Sequence, residues 1–484
     1  MKSKFIAPIL YILFTLASLS ANGTESPLTA YTLDNGLDVV LLPLSGSGEL
    51  SMGIVFRGGA EVQTSANAGY FSLLEQLLFR GRASEPGEPE PAGALEALEA
   101  SAFDGGVGSD RFGFAFSLSP GFLDQGVNTL SYLFSGLRLE TALADPSALE
   151  EAKNAAIARQ EVAKSDPAEI YEYALAKKLF SSAPWRLDAI GSEKTLKEAS
   201  STSLKALSSR WLVPNNAAIL VAGDFEVEAA KPLISSAFAS WKKIDDPWKT
   251  PLSALPKPGV TRPTLMVYPD PTQRIGYAAL EMRYRGPDIG SPRSAAIRLW
   301  AQMLSQSDSR LAKALAKGMP KTSASSTPKV RYQAARSSSW FSLSTTIVIQ
   351  GMANPADAVL AFKEIVRGTE MYAMKTNPGY FSDIEYKNAK ASFEPFPNHR
   401  NSQLAVSHLM DLWLLDGIKG FQTGKKSIQA LGSKDITSFA DEYFMKNLEI
   451  VSIRLNPEDY AAKKKNFDNY GFELISPQNA FWWK

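Results

Sequence analysis

At 484 residues the chain exceeds what one hydrophobic core supports and fits two domains of about 200 residues each plus a leader. Its 51 basic and 50 acidic residues leave a net charge of +1, which gives no electrostatic case for nucleic acid or an anionic surface as partner. There is no cysteine, hence no disulfide, thiolate metal site or cysteine nucleophile, and the two histidines, His399 and His408, nearly empty the inventory for a transition-metal site.

The first residues read as an export signal. Lys2 and Lys4 precede the apolar run Phe5–Leu19, and Ser18, Ser20 and Ala21 offer a cleavage point before Asn22, which makes residues 1–21 a signal peptide. The run is short for a membrane span and no later segment approaches 18 apolar residues, so no stable span is expected after cleavage. A cysteine-free exported chain points to the periplasm; an uncleaved leader acting as membrane anchor is the alternative.

Tyr31–Leu44 (YTLDNGLDVVLLPL) predicts a hairpin turning at Asn35-Gly36, followed by a strand over Met52–Arg57. A helix is predicted over Ala68–Phe79, a solvated loop over Ala83–Gly93 (ASEPGEPEPAG), a helix over Ala94–Ala102 and a strand over Arg111–Leu118. Helices are expected over Gly121–Glu140, Pro146–Lys164 and Pro167–Phe180, then a strand over Ala217–Ala222. Residues 245–263 (DDPWKTPLSALPKPGVTRP) contain five prolines, a density that marks a linker. Beyond it the element order repeats, with strands near Ile275–Tyr284, Trp340–Gln350 and Leu448–Leu455 and helices over Ser291–Leu304, Pro355–Lys375 and Ser382–Ser392. The fold class expected is therefore an α+β duplication: a domain over residues 27–244 and a homologous one over residues 264–478.

Ala68–Gly81 (AGYFSLLEQLLFRG) is the stretch with most chemical content. Ser72, Glu75 and Gln76 stand at i, i+3 and i+4 on one helix face. At that spacing an H-x-x-E-H helix grips zinc with two imidazoles, and the glutamate between them serves as general base. Here the glutamate is present and both imidazoles are replaced. Ser72 with Glu75 makes no activated hydroxyl, because no histidine or lysine lies on the helix. The glycines at 46–59 and 105–108 are turns, since no G-K-[ST] follows them. His399 and His408, nine apart, do not share a helical turn and make no paired metal site. The terminal Phe481–Lys484 (FWWK) is apolar enough to dock on its own fold or on a partner, and docking on its own fold is expected.

Leu33–Pro43, Ala68–Gly81, Ser182–Leu196 (SAPWRLDAIGSEKTL), Leu212–Phe225 (LVPNNAAILVAGDF) and Ser307–Leu315, in this order, resemble the insulinase/pitrilysin-type (M16) metallopeptidase superfamily in its short, two-domain form. The resemblance implies two homologous domains, each a mostly antiparallel sheet flanked by helices, facing each other in a clam-like pair. It maps the metal histidines to Ser72 and Gln76 and the general base to Glu75. The downstream glutamate ligand falls on Arg159, or on Glu161 if the register shifts by two. The family's second-domain Arg/Tyr pair, which stabilises the transition state, maps to Ala316 and to Lys321 or Thr322; Arg331 and Tyr332 lie nearby but adjacent to each other. Neither zinc nor any other cofactor is expected on such a donor set.

The resemblance thus implies a non-catalytic, peptidase-like protein that binds polypeptides or serves as a regulatory or structural subunit. Its natural partner is an active M16 paralogue in a hetero-oligomer. Extended polypeptides are expected to add to a strand edge at Gly105–Phe116, with Gly105, Gly106, Gly108, Phe112 and Phe114 as the candidate surface. The alternatives are a zinc endopeptidase with another ligand set and a purely structural envelope protein. No H-x-x-E-H or H-E-x-x-H can be drawn in any register, which weighs against the first.

Overall fold

The computed structural model describes residues 28–79, 91–134, 137–319, 327–393 and 401–483. The leader 1–21, most of the loop at 83–93, Lys321, Thr322 and His399 lie outside them.

Six strands form the first sheet: β1 (Thr29–Thr32), β2 (Asp38–Pro43), β3 (Leu50–Arg57), β4 (Ser101–Val107), β5 (Arg111–Leu118) and β6 (Ala217–Gly223). Their order is β1-β2-β6-β3-β5-β4. The second sheet contains β7 (Thr264–Pro269), β8 (Tyr277–Arg285), β9 (Lys329–Gln333), β10 (Trp340–Val348), β11 (Ile450–Leu455) and β12 (Glu473–Leu474), in the order β12-β7-β11-β8-β10-β9. The duplication extends to strand polarity. In each sheet a parallel pair (β2 with β6, β7 with β11) continues into three antiparallel pairings, and only the edge strands differ, β1 running antiparallel to β2 and β12 parallel to β7. The fold is α+β, as the order of elements predicts.

Both faces of the central strands are buried; β6 (AAILVAG) accordingly reads as an unbroken apolar run, whereas β8 of the second sheet carries the buried Glu281, Arg283 and Arg285. On β6, Ala217, Ile219 and Val221 face one core while Ala218, Leu220 and Ala222 face another. The first core is closed by helices of the same half, among them Tyr70–Leu78 and Leu123–Phe134. The second is closed by Ser402–Asp416, a helix from the far half of the chain, whose Ala405, Val406, Leu409, Met410, Trp413 and Leu414 lie on β3, β5 and β6. The exchange is reciprocal. Helix Pro167–Leu179 lays Ile170, Tyr171, Ala174 and Leu175 on the second sheet, against Met266, Tyr268, Trp340 and Ile450.

Polar contacts fix each exchanged helix. Trp413 donates its indole N–H to Asp38 (2.8 Å) and Ser402 meets Ser51 (2.7 Å). The Tyr171 hydroxyl donates to Glu281 (3.0 Å) and meets Ser452 (2.7 Å). The halves do face each other, but through these helices, so packed side chains fill the space along those faces.

Several elements differ from the sequence expectation. The helix expected over Ala94–Ala102 ends at Glu96, and Ser101–Val107 becomes the edge strand β4. The helix expected over Gly121–Glu140 is two helices, Leu123–Phe134 and Leu137–Ala144. Residues 245–263 carry no helix or strand; within them Trp248 packs edge-on against Trp211 at 4.8 Å.

Candidate functional site

Helix Tyr70–Leu78 starts where two backbone segments nearly touch. Gly69 has φ +89°, and a Cβ on it would stand 2.5 Å from the Ile190 carbonyl oxygen; a Cβ on Gly191 (φ +76°) would stand 2.3 Å from that of Ala68. Only glycine fits either place. The wall formed by residues 188–191 is tied down further: Gln63 donates to the Asp188 carbonyl (3.0 Å), Gln160 to that of Gly191 (2.8 Å) and Thr195 to that of Ala68 (2.8 Å).

That wall occupies Ser72, whose hydroxyl donates to the Ala189 carbonyl at 2.6 Å. Glu75, one turn on, is half-buried beside Gly106 of β4, where a Cβ would come within 3.3 Å of its Oε1. Burial pushes the Glu75 carboxyl up to about 7, against the pull of the Arg159 guanidinium. Gln76 is half-buried on the same helix face.

Arg159 and Glu161 both lie on helix Pro146–Ser165 but have different surroundings. Arg159 hydrogen-bonds through both terminal nitrogens to the Glu169 carboxylate (Nη1 at 3.1 Å). Glu161 is exposed and pairs with Lys164, so it does not belong to the cluster. The set gathered at the motif helix is therefore a hydroxyl already donating to a carbonyl, a carboxylate, a carboxamide and a nearby guanidinium. Among the described residues no group of three or more His, Asp or Glu side chains is placed to hold a metal ion.

Among the described second-half positions, Ala316, Arg331 and Tyr332, the contacts seen are with other residues than this cluster. Ala316 is exposed on helix Arg310–Gly318, and Lys321 lies outside the described residues. Arg331 lies 3.4 Å from Glu172 and stacks over Trp340, while the Tyr332 hydroxyl donates to the Pro287 carbonyl (2.6 Å). Both serve the packing of β9.

Of the peptide-surface candidates, Gly105 and Gly106 lie on β4, the last strand of its sheet, and among the described residues no strand pairs with its outer edge. Gly108 makes the tight turn into β5, its N–H bonded to the Arg111 carbonyl (2.8 Å). Phe112 is 1% exposed and packs on Phe71 and Phe56 in the core, so it is unavailable to a peptide. Phe114 is half-buried against Phe79, with ring centroids 4.7 Å apart.

One feature of the site was not read from the sequence. The C-terminal segment docks at home, as expected, and it docks on the wall behind the motif helix. Trp482 and Trp483 both donate their indole N–H to Asp188 (2.5 and 2.8 Å), a carboxylate 1% exposed that also accepts from the Tyr173 hydroxyl and the Ile190 backbone. Burial raises the Asp188 carboxyl above its ordinary value, and these donors oppose the rise.

Residues 198–370 match the family described as the Peptidase M16 inactive domain, a stretch that leaves out the motif helix. The zinc protease PqqE of Helicobacter pylori is 23% identical over 265 residues, 52% of this chain and 54% of that protein, so the match spans about half of the relative's length. Among solved structures, a protease from Helicobacter pylori superposes with a TM-score of 0.68 at 17% identity, covering 89% of this chain and 99% of that one. The first half of the periplasmic protease PqqL from Escherichia coli superposes with a TM-score of 0.66 at 17% identity, covering 93% of this chain and 98% of that fragment.

Proposed function

We propose that this chain is a non-catalytic member of the M16 peptidase superfamily, exported to the periplasm, that binds extended polypeptides beside an active M16 paralogue. The observation that carries the reading is the donor set at helix Tyr70–Leu78. A hydrolytic zinc site needs three good ligands and an open position. Ser72 donates its proton to a carbonyl, Gln76 offers only a carboxamide, and the third-ligand position brings the cation of Arg159. Those residues do not fit zinc, and with no Lewis acid or electrophile beside it Glu75 has no base chemistry to perform.

Polypeptide binding is supported by the edge of β4, unpaired among the described residues, which runs past Glu75 with two consecutive glycines, Gly105 and Gly106, that allow close backbone approach. Pairing draws on PqqL, of which this chain covers 51%: there a unit of this fold has a second half beside it, and a second M16 unit is the partner proposed here. Export rests on the basic-apolar leader; among the described residues no helix is long and apolar enough to cross a membrane.

The test is zinc content and peptide hydrolysis of the purified mature protein, alone and mixed with an H-x-x-E-H paralogue from the same organism. Substoichiometric zinc, no cleavage alone and altered paralogue activity on mixing are expected. One tightly bound zinc per chain, with cleavage abolished by Glu75→Gln, would overturn the reading.

A further inference from the structure

Among the described residues, several charges around the motif helix are matched within the fold, and Glu75 is not. Arg159 is held by Glu169, Arg111 by Asp104 (3.0 Å) and Asp411 (3.3 Å), and Asp188 by two indoles and a phenol. Among the described residues, no hydrogen bond or ion pair reaches the Glu75 carboxylate. A carboxylate taken partly out of water without a donor is costly, and a charge-assisted donor recovers much of that cost.

We propose that Glu75 forms a subsite for a cationic side chain, lysine or arginine, of a polypeptide laid along β4. The inference rests on the polypeptide-binding reading and gives it a side-chain preference. Gly106 leaves open the space between the strand edge and the carboxylate, because any side chain there would start 3.3 Å from Oε1. An added strand runs about 4.8 Å beyond β4, so its short side chains fall short of Glu75 while the long, flexible stems of lysine and arginine can extend to it. Arg159, whose charge still pulls on the Glu75 carboxyl, gives its hydrogen bonds to Glu169, and that carboxylate weakens its repulsion of such a cation. A neutral or anionic residue at the same place would leave Glu75 unmatched or repel it.

The experiment is fluorescence anisotropy with labelled, extended Ser/Val peptides in which a single lysine is moved along the sequence. Each is compared with its norleucine counterpart, which keeps the stem and removes the charge. In at least one register the lysine peptide should bind about tenfold more tightly than its counterpart, the gain of one charge-assisted bond. Glu75→Gln, shown to be folded by its thermal melt, should erase that ratio. Equal affinities in every register, or a lysine preference that survives Glu75→Gln, would overturn the subsite while leaving the polypeptide-binding reading standing. Failure of all peptides to bind the native protein would overturn that reading and the subsite with it.

Discussion

Arg159 gives both terminal guanidinium nitrogens to Glu169 and none to Glu75, although its charge is close enough to pull on the Glu75 carboxyl. The reason lies in the turn between two helices. Asp166 ends the helix carrying Arg159 and caps the next, accepting from the backbone N–H groups of Ala168 and Glu169. That folds Glu169 back over Arg159, ten residues upstream. Glu169→Gln should release the guanidinium toward Glu75. The Glu75 carboxyl should then titrate below the native value of about 7, and any preference for lysine peptides should weaken. Carboxyl NMR of the variant checks this, and an unmoved Glu75 titration would mean that Arg159 stays in place without Glu169.

The exchanged helices predict how the chain unfolds. Residues 27–244 alone lack Ser402–Asp416 and would expose Val40, Val55, Ala218 and Leu220 on the first sheet. Each large side chain among them contributes roughly 1.5–3 kcal/mol when buried, and stability margins are only about 5–15 kcal/mol. The isolated half should therefore bind hydrophobic dye and lack a cooperative transition, whereas the whole chain should unfold in one step. Circular dichroism melts of both proteins decide it; a sharp independent transition for the half would contradict the interlocked arrangement.

These contrasts show where the sequence was legible. Period-2 and turn signals located β2, β3, β5, β6, β8, β10 and β11, because their residues answer to local geometry and to a buried face. Helix Ser402–Asp416 carries its buried residues at 402, 405, 406, 409, 410, 413 and 414, a clear helical stripe. The exposed Leu404 and half-buried Leu412 blur that stripe, and no local signal says that the helix belongs on the other half's sheet. Likewise, the substitutions at Ser72 and Gln76 could be read from spacing. The partner of Arg159 could not, since it depends on a turn geometry that spacing does not reveal.

Phe112 separates core packing from peptide contact. Phe112→Ala should cost about 3–5 kcal/mol, as for a large aromatic removed from a tight core. Urea unfolding reads the loss. A change below about 1 kcal/mol, which the handling of surface residues would lead one to expect, would mean that the ring is not held in the core.

The C-terminal tryptophans bear on the same wall. Trp482→Phe and Trp483→Phe each remove one N–H donor from the buried Asp188 carboxylate, and each should destabilise by about 1–3 kcal/mol in urea unfolding. If the double variant costs no more than either single one, the two indoles act as alternatives for one position.

Glu61 gives the pH dependence. It is fully buried where the first half meets the loop 335–339, facing Arg336 (3.7 Å) and Ser337 (3.4 Å), with the backbone carbonyl bonded to Arg186 (2.9 Å). Burial, reinforced by Asp110, pushes its carboxyl up to about 8, while Arg336, Arg186 and Ser337 resist. The folded state therefore holds this proton more tightly than the unfolded state, whose glutamate titrates near 4.5. The stabilisation is complete below pH 4.5 and is lost as pH rises to about 8, a contribution on the order of 5 kcal/mol. Glu61→Gln carries no proton to lose and should flatten this part of the stability profile across that window. Chemical denaturation at several pH values measures the difference, and identical slopes for the two proteins would show that Arg336 and Arg186 keep Glu61 ionised throughout.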